Sequence, residues 1–166
     1  MNKSKLIISL FFFITVTGLS INEAFAKDRK GRLGVGLSNQ FANDLTALSF
    51  KVQRSRSFSI SGLAAINTDN NGGGHGVGIK VFKNLFDEPQ LTFYVAALAG
   101  LVGTKATAGD QSGFQFDLTM GPEFNFQGLD SLGLSVEFGV SLYKLDEFVI
   151  ETVGEHFVTA AVHFYL

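Results

Sequence analysis

The chain has no cysteine among its 166 residues. That excludes a lipid-modified N-terminal cysteine, a disulfide framework and any thiolate metal site. Without disulfides, an exported domain of this size must draw its stability from a large core or a closed hydrogen-bonded structure. Proline is nearly absent too. Of the two present, Pro89 falls in a turn, whereas Pro122 interrupts a strand-like run and requires a bulge or local break there. Charged residues make up only 17% of the chain, with a formal net charge of −2. No basic patch is interleaved with aromatics, so nothing points to nucleic acid. Low charge beside 18 Phe and 19 Gly is unusual for a surface facing water.

What is present begins with an export signal. Lys3 and Lys5 precede an apolar run from Leu6 to Leu19, and Ala24-Phe25-Ala26 supplies the small-x-small pattern of a cleavage site. The run is short for a membrane-spanning helix. These features predict a signal peptide over 1–26 and one mature domain over 27–166, with a polar leader at 27–31 outside the folded part.

Beyond the leader, apolar and polar residues alternate in segment after segment, broken by turns rich in Gly, Asn and Asp. A period of two specifies strands. Eight are predicted: 32–39, 45–54, 57–67, 75–86, 90–103, 112–126, 132–144 and 156–166. Most approach the length of about 9–11 residues that a tilted strand needs to cross a bilayer. The sixth shows the pattern well, with Phe114, Phe116, Leu118, Met120, Phe124 and Phe126 on one face.

Alternation alone does not separate a membrane barrel from a soluble sandwich or ligand-binding barrel. The opposite face does. In a soluble protein it would carry Lys, Glu, Asp and Arg; here it is mostly small, with residues such as Gly36, Ser49, Ser61, Gly78, Ala96, Thr119, Gly121, Ser135 and Ser141. Small side chains suit the crowded interior of a narrow closed barrel. The apolar faces, including Phe50, Phe58, Phe93, Phe116, Phe138 and Phe164, are then expected to meet lipid. Closure satisfies every strand edge, as hydrocarbon demands. The fold class is all-β, a closed antiparallel eight-stranded transmembrane β-barrel.

The last eleven residues, His156-Phe157-Val158-Thr159-Ala160-Ala161-Val162-His163-Phe164-Tyr165-Leu166, carry a family resemblance. Val158, Ala160, Val162, Phe164 and Leu166 alternate to the terminus, and the segment resembles the closing strand of outer-membrane barrels. Such strands usually end in an aromatic residue, whereas this one ends in Leu166. With the signal and strand count, the mature chain resembles the small OmpA/OmpX-like barrels in architecture over nearly its whole length. The resemblance implies a Gram-negative outer membrane, lipid and lipopolysaccharide as surroundings, the barrel-assembly machinery as partner, and a monomer. An even strand count puts both termini on the periplasmic side. The outer loops would be 39–44, 68–74, 104–111 and 145–155.

The candidate site residues are the inward charges Lys51, Lys80, Asp117, Glu123 and Glu137, with His163 beside them. Buried charges must be paired or hydrogen-bonded. They form either a gate in an ion-conducting interior or a structural network plugging the lumen, helped by Phe82, Tyr94, Leu98 and Tyr143. Counting from the turns sets Lys51 and Lys80 opposite Glu123 and Glu137. His75, His156 and His163 lack the close spacing of a metal site, and no cofactor motif is present. A lipid-modifying enzyme would need a nucleophile or base with an oriented His at the outer rim. There His156 lies near Glu147, Glu151 and Glu155, but a strand-borne Ser is missing, so no catalytic residue is assigned. Asn70 to Gly74 reads as a flexible hairpin turn. Asp146 to Glu155 mixes acids with Phe148, Val149, Ile150 and Val153, as a packed cap over the mouth or as a surface for a partner or divalent cations. The expected function is an integral outer-membrane barrel with a structural or surface-interaction role. A lipid-modifying enzyme is the second reading and a soluble ligand-binding barrel the third.

Overall fold

The computed structural model describes residues 29–70, 72–105, 109–153 and 158–166. The signal peptide expected over 1–26 lies outside them, as do Asn71, Glu155 and His156. Among the described residues nine strands form: β1 (Leu33–Ser38), β2 (Ala47–Ser55), β3 (Phe58–Asn67), β4 (Gly74–Glu88), β5 (Leu91–Thr104), β6 (Gln111–Phe126), β7 (Leu129–Lys144), β8 (Phe148–Thr152) and β9 (Thr159–Tyr165). Each pairs antiparallel with its chain neighbours as far as β8, while β9 pairs with both β7 and β1. The sheet therefore closes on itself.

Eight staves make the wall, because β8 and β9 are two pieces of one. β7 holds β8 along its upper part (Val140↔Thr152 to Lys144↔Phe148) and β9 along its lower part (Leu132↔Phe164 to Glu137↔Thr159). This corrects the single closing strand expected over 156–166 and the loop expected over 145–155. The segment with Asp146, Glu147 and Glu151 does not cap the mouth. It turns tightly and continues the wall, with Phe148 and Ile150 exposed on the outside. Alternating Phe148 and Ile150 with Val149 and Glu151 is itself a strand pattern, hidden in the sequence by its acids.

Short turns join β2 to β3, β4 to β5 and β6 to β7 at one end; the longer connections lie at the other. All three register shifts, at Gln53/Ser55, Asn84/Phe86 and Asn125/Phe126, sit at the short-turn end, where bulges trim staves of unequal reach. Pro122 produces no bulge. It pairs with Phe93 on β5, and the ladder to β7 lapses at Gly121 and Pro122, then resumes at Glu123↔Ser135 in unchanged register. The missing N–H costs a local break only.

Burial follows the alternation. On β6, Gln115, Asp117, Thr119, Gly121, Glu123 and Asn125 are buried, whereas Phe114, Phe116, Leu118, Met120, Phe124 and Phe126 are exposed. The large apolar side chains thus point outward and the polar ones inward, the reverse of a protein whose outer face meets water.

Among the described residues, two segments outside the strands enter the barrel. The first is the connection from β1 to β2, which bends inward: Gln40 and Phe41 are 3% and 2% exposed. Phe41 packs with Ala47, Leu63, Leu98 and Val102 in the loop-end half of the lumen. Glycine makes the room. A Cβ on Gly76 would lie 2.7 Å from the Phe41 ring. Gly76→Ala is therefore expected to lower stability by about 1–3 kcal/mol, the usual cost of overpacking. Gly62→Ala, where a Cβ meets nothing within 4 Å, should be neutral or slightly stabilising. Urea unfolding of both variants in micelles reads the difference, and equal effects would mean that Phe41 does not occupy the lumen. The second segment is the leader. Arg29, expected outside the folded part with 27–31, is buried in the short-turn mouth, and Gly31 donates from its N–H to the Gln53 carbonyl at 2.8 Å.

Candidate functional site

The lumen is stacked in levels, and each polar level is built from strands on different sides of the barrel. At the short-turn mouth Glu123, from β6, accepts from Lys51 Nζ of β2 at 2.5 Å and from the Tyr165 hydroxyl of β9 at 2.8 Å. Arg29 also donates to Glu123 and to Asn125, and its guanidinium lies 3.9 Å over the Tyr165 ring. Glycines create this space: a Cβ on Gly34 would come within 2.9 Å of the Tyr165 ring, and one on Gly133 within 3.0 Å of Glu123 Oε1.

One level further in, Glu137 of β7 gathers three donors. Lys80 Nζ of β4 reaches its two oxygens at 2.7 and 2.5 Å, the Tyr94 hydroxyl donates at 2.7 Å, and the Thr119 hydroxyl at 2.6 Å. Phe82 separates the two lysines, its ring centroid 4.3 Å from Lys51 Nζ and 5.1 Å from Lys80 Nζ. Both ammonium groups thus meet an aromatic face as well as a carboxylate, which suits a cation out of water. Tyr94 packs edge-on to Phe82 at 5.2 Å.

The third level holds Asp117. Ser141 donates to it at 2.6 Å, Gln115 at 2.9 Å and Gln40 at 2.9 Å. Gln40 also accepts from Lys80 at 2.5 Å, so the inserted loop joins the second level to the third. Two further bonds hold that loop: Gln115 Nε2 donates to the Gln40 carbonyl, and the Ala42 N–H donates to Gln115 Oε1, both at 2.9 Å. Above lies the apolar level around Phe41, against which Leu145 also packs.

His163 stands slightly apart. Its Nε2 shares a hydrogen bond of 2.9 Å with Ser49, which bonds in turn to Ser61 at 2.8 Å, while Nδ1 has no partner among the described residues. His75 is on the outside of β4. Among the described residues no three His, Asp or Glu side chains converge as metal ligands would.

The six candidate residues thus all face inward and are buried, five of them carrying charge. Four make two direct ion pairs, Lys51 with Glu123 and Lys80 with Glu137; Asp117 is reached through Gln40, and His163 bonds to Ser49 beside the Tyr165 ring. Among the described residues the buried charges are three of each sign, since Arg29 joins the two lysines against Asp117, Glu123 and Glu137. Sequence reasoning missed Arg29, Gln40, Phe41 and Gln115. For Phe41 a signal existed: a lone large apolar residue in the polar stretch Asn39 to Asp44 has no reason to face water. What space remains at the short-turn mouth is a cavity of about 20 Å³ between Arg29, Lys51, Asn84, Glu88 and Asn125, room for about one water molecule.

A closed, antiparallel, eight-stranded barrel with a polar interior and an apolar exterior is the class that this architecture defines. Among solved structures, the chain is similar to the N-terminal β-barrel domain of Pseudomonas aeruginosa OprF, with a TM-score of 0.62 at 14% sequence identity, over 82% of this chain and 98% of that one. No protein-family profile and no curated protein matches the chain.

Proposed function

We propose that the chain is an integral outer-membrane β-barrel with a structural or surface-interaction role, its lumen closed by side chains rather than open as a pore. The observation that carries this reading is the outer surface. On β6 every outward position from Phe114 to Phe126 is uncharged, and on β7 every one from Leu132 to Leu142. At about 3.3 Å per residue and a tilt of about 40°, Phe114 to Phe126 climbs roughly 30 Å. An outer-membrane barrel carries an apolar band of about 25 Å. In water such a surface would drive aggregation. The fold shared with the OprF barrel domain supports the same compartment, and the short-turn end is then periplasmic.

Closure of the lumen rests on the stacked levels. An eight-stranded barrel leaves an interior that side chains can fill, and among the described residues the buried charges balance and most buried polar side-chain atoms are bonded. The barrel then presents its loops and the β7–β8 hairpin outside the cell as its means of contact. Two measurements test the compartment. A refolded sample in detergent is expected to migrate differently before and after boiling. Phe116→Trp, the only tryptophan in a chain that has none, should be strongly quenched by brominated lipid after reconstitution. A Trp at 116 that lipid does not quench would mean that the outer face is not in the bilayer.

A further inference from the structure

The exterior is not uniform. The surface dips in two places among the described residues, at a groove of about 350 Å³ bordered by Leu37, Leu134, Ala160 and Val162, and across β4, β5 and β6 at one of about 400 Å³. The floor of the second is lowered at the outward Ala97, and Phe58, Met120 and Phe138 rise around it. One charged residue lines it, Lys83, the neighbour of Phe58 across the β3–β4 ladder.

Lys83 has company. The turn from β2 to β3 is fastened to β4 beside it: the Asn84 side chain donates to the Arg56 carbonyl at 2.8 Å, and the Asn84 N–H to the Ser57 carbonyl at 2.9 Å. Arg56 is thereby anchored next to Lys83, and Arg54 follows Val52 on the outward set of β2. All three side chains are exposed. Among the described residues none of the three has an acidic partner. The nearby acids Asp87 and Glu88 line the lumen mouth instead. Three unneutralised cations therefore stand together at the short-turn rim, at one end of an apolar groove. In the lumen, by contrast, Arg29, Lys51 and Lys80 are each bonded to a carboxylate.

An apolar trough with a cationic end is complementary to one kind of molecule in its surroundings: a lipid with an anionic phosphate headgroup. We propose that this groove is a binding site for an anionic phospholipid of the leaflet at the short-turn end, one acyl chain lying along Ala97 and Met120 and the phosphate held by Lys83 and Arg56, with Arg54 beside them. The proposal rests on the transmembrane reading above. Arg and Lys at the edge of the hydrocarbon layer reach the headgroup plane with their charged ends while their stems stay in apolar surroundings. Arg adds a planar fork that matches phosphate oxygens.

The absence of tryptophan permits a clean test. Phe58→Trp puts a reporter at the cationic end of the groove. Phe164→Trp puts one on β9, away from it, where the nearby Arg32 is already bonded to the main-chain oxygens of Tyr165 and Leu166. Each is reconstituted in equimolar phosphatidylglycerol and phosphatidylcholine, with one lipid or the other brominated. At position 58, brominated phosphatidylglycerol is expected to quench at least twofold more than brominated phosphatidylcholine; at position 164, the two should quench equally. Adding Arg56→Gln and Lys83→Gln, both exposed, should abolish the preference at 58. Equal quenching by the two lipids at 58, a preference equally strong at 164, or one that survives the double substitution would overturn the site while leaving the barrel in the membrane. Absence of quenching at both positions would overturn the transmembrane reading and the site together.

Discussion

Replacing Glu137 by Ala is expected to destabilise the barrel by about 3–5 kcal/mol, the usual cost of leaving a buried charge without its partner. The geometry says why the figure should be near the top of the range. Glu137 is the acceptor for Lys80, Tyr94 and Thr119 together, so one truncation strands an ammonium and two hydroxyls in a closed space. Replacing the pair, Lys80→Met with Glu137→Leu, removes the charge problem and should recover part of the loss. Recovery will not be complete. Tyr94 and Thr119 still lack their acceptor, and Gln40 loses the ammonium that it receives. A residual cost of about 1–3 kcal/mol is expected, that of an unsatisfied buried group. Denaturant unfolding of the refolded variants in micelles measures both, with Lys144→Ala as an exposed reference near zero. If Glu137→Ala behaves like the reference, the carboxylate meets water and the lumen is not closed.

Phe41→Ala tests the other half of the interior and is expected to separate stability from conduction. Truncating a buried phenylalanine costs about 3–5 kcal/mol, and here the ring fills the space among Ala47, Leu63, Leu98 and Val102. Conductance across planar bilayers should nevertheless stay at baseline, because the levels built on Asp117, Glu137 and Glu123 remain beneath the emptied one. The closures act in series. Steady channels in Phe41→Ala alone would mean that the apolar level is the barrier and the charged levels are permeable.

The wall was legible because period-two alternation is a property of every strand, repeated until chance is excluded. The same alternation set Lys51, Lys80, Asp117, Glu123, Glu137 and His163 on one side of their strands, so the inward set could be read residue by residue. Two things defeated that reading. Inserted segments have no periodicity: Gln40 and Phe41 lie in a stretch that looks like any polar loop, and Arg29 in one that looks like a leader, so their burial depends on the cavity that other strands create. The division of the last stave was hidden for a different reason. Phe148 to Thr152 follows a tight turn that holds Asp146 and Glu147, and it carries Glu151 itself, so its alternation resembled a mixed loop. At Pro122 the local break expected from its missing N–H is what forms, and the lapse in one ladder leaves the register of both neighbours unchanged.

The wall closes where β9 meets β1, with Gly34 opposite Tyr165, and that seam imposes an order in time. Arg29 and Glu123 are 94 residues apart in the chain, Lys51 and Glu123 are 72, and Lys80 and Glu137 are 57. Until the last stave arrives, each of these groups faces an open trough. A partly built sheet would therefore carry bare edges and solvated ions that hydrocarbon does not accept. No nascent stretch gains stability by itself, and distant contacts make assembly slow. On the transmembrane reading, insertion and closure are then one concerted event, completed only after β9 has been synthesised. A chain cut short by a single stave should then gain no fraction of the stability of the whole.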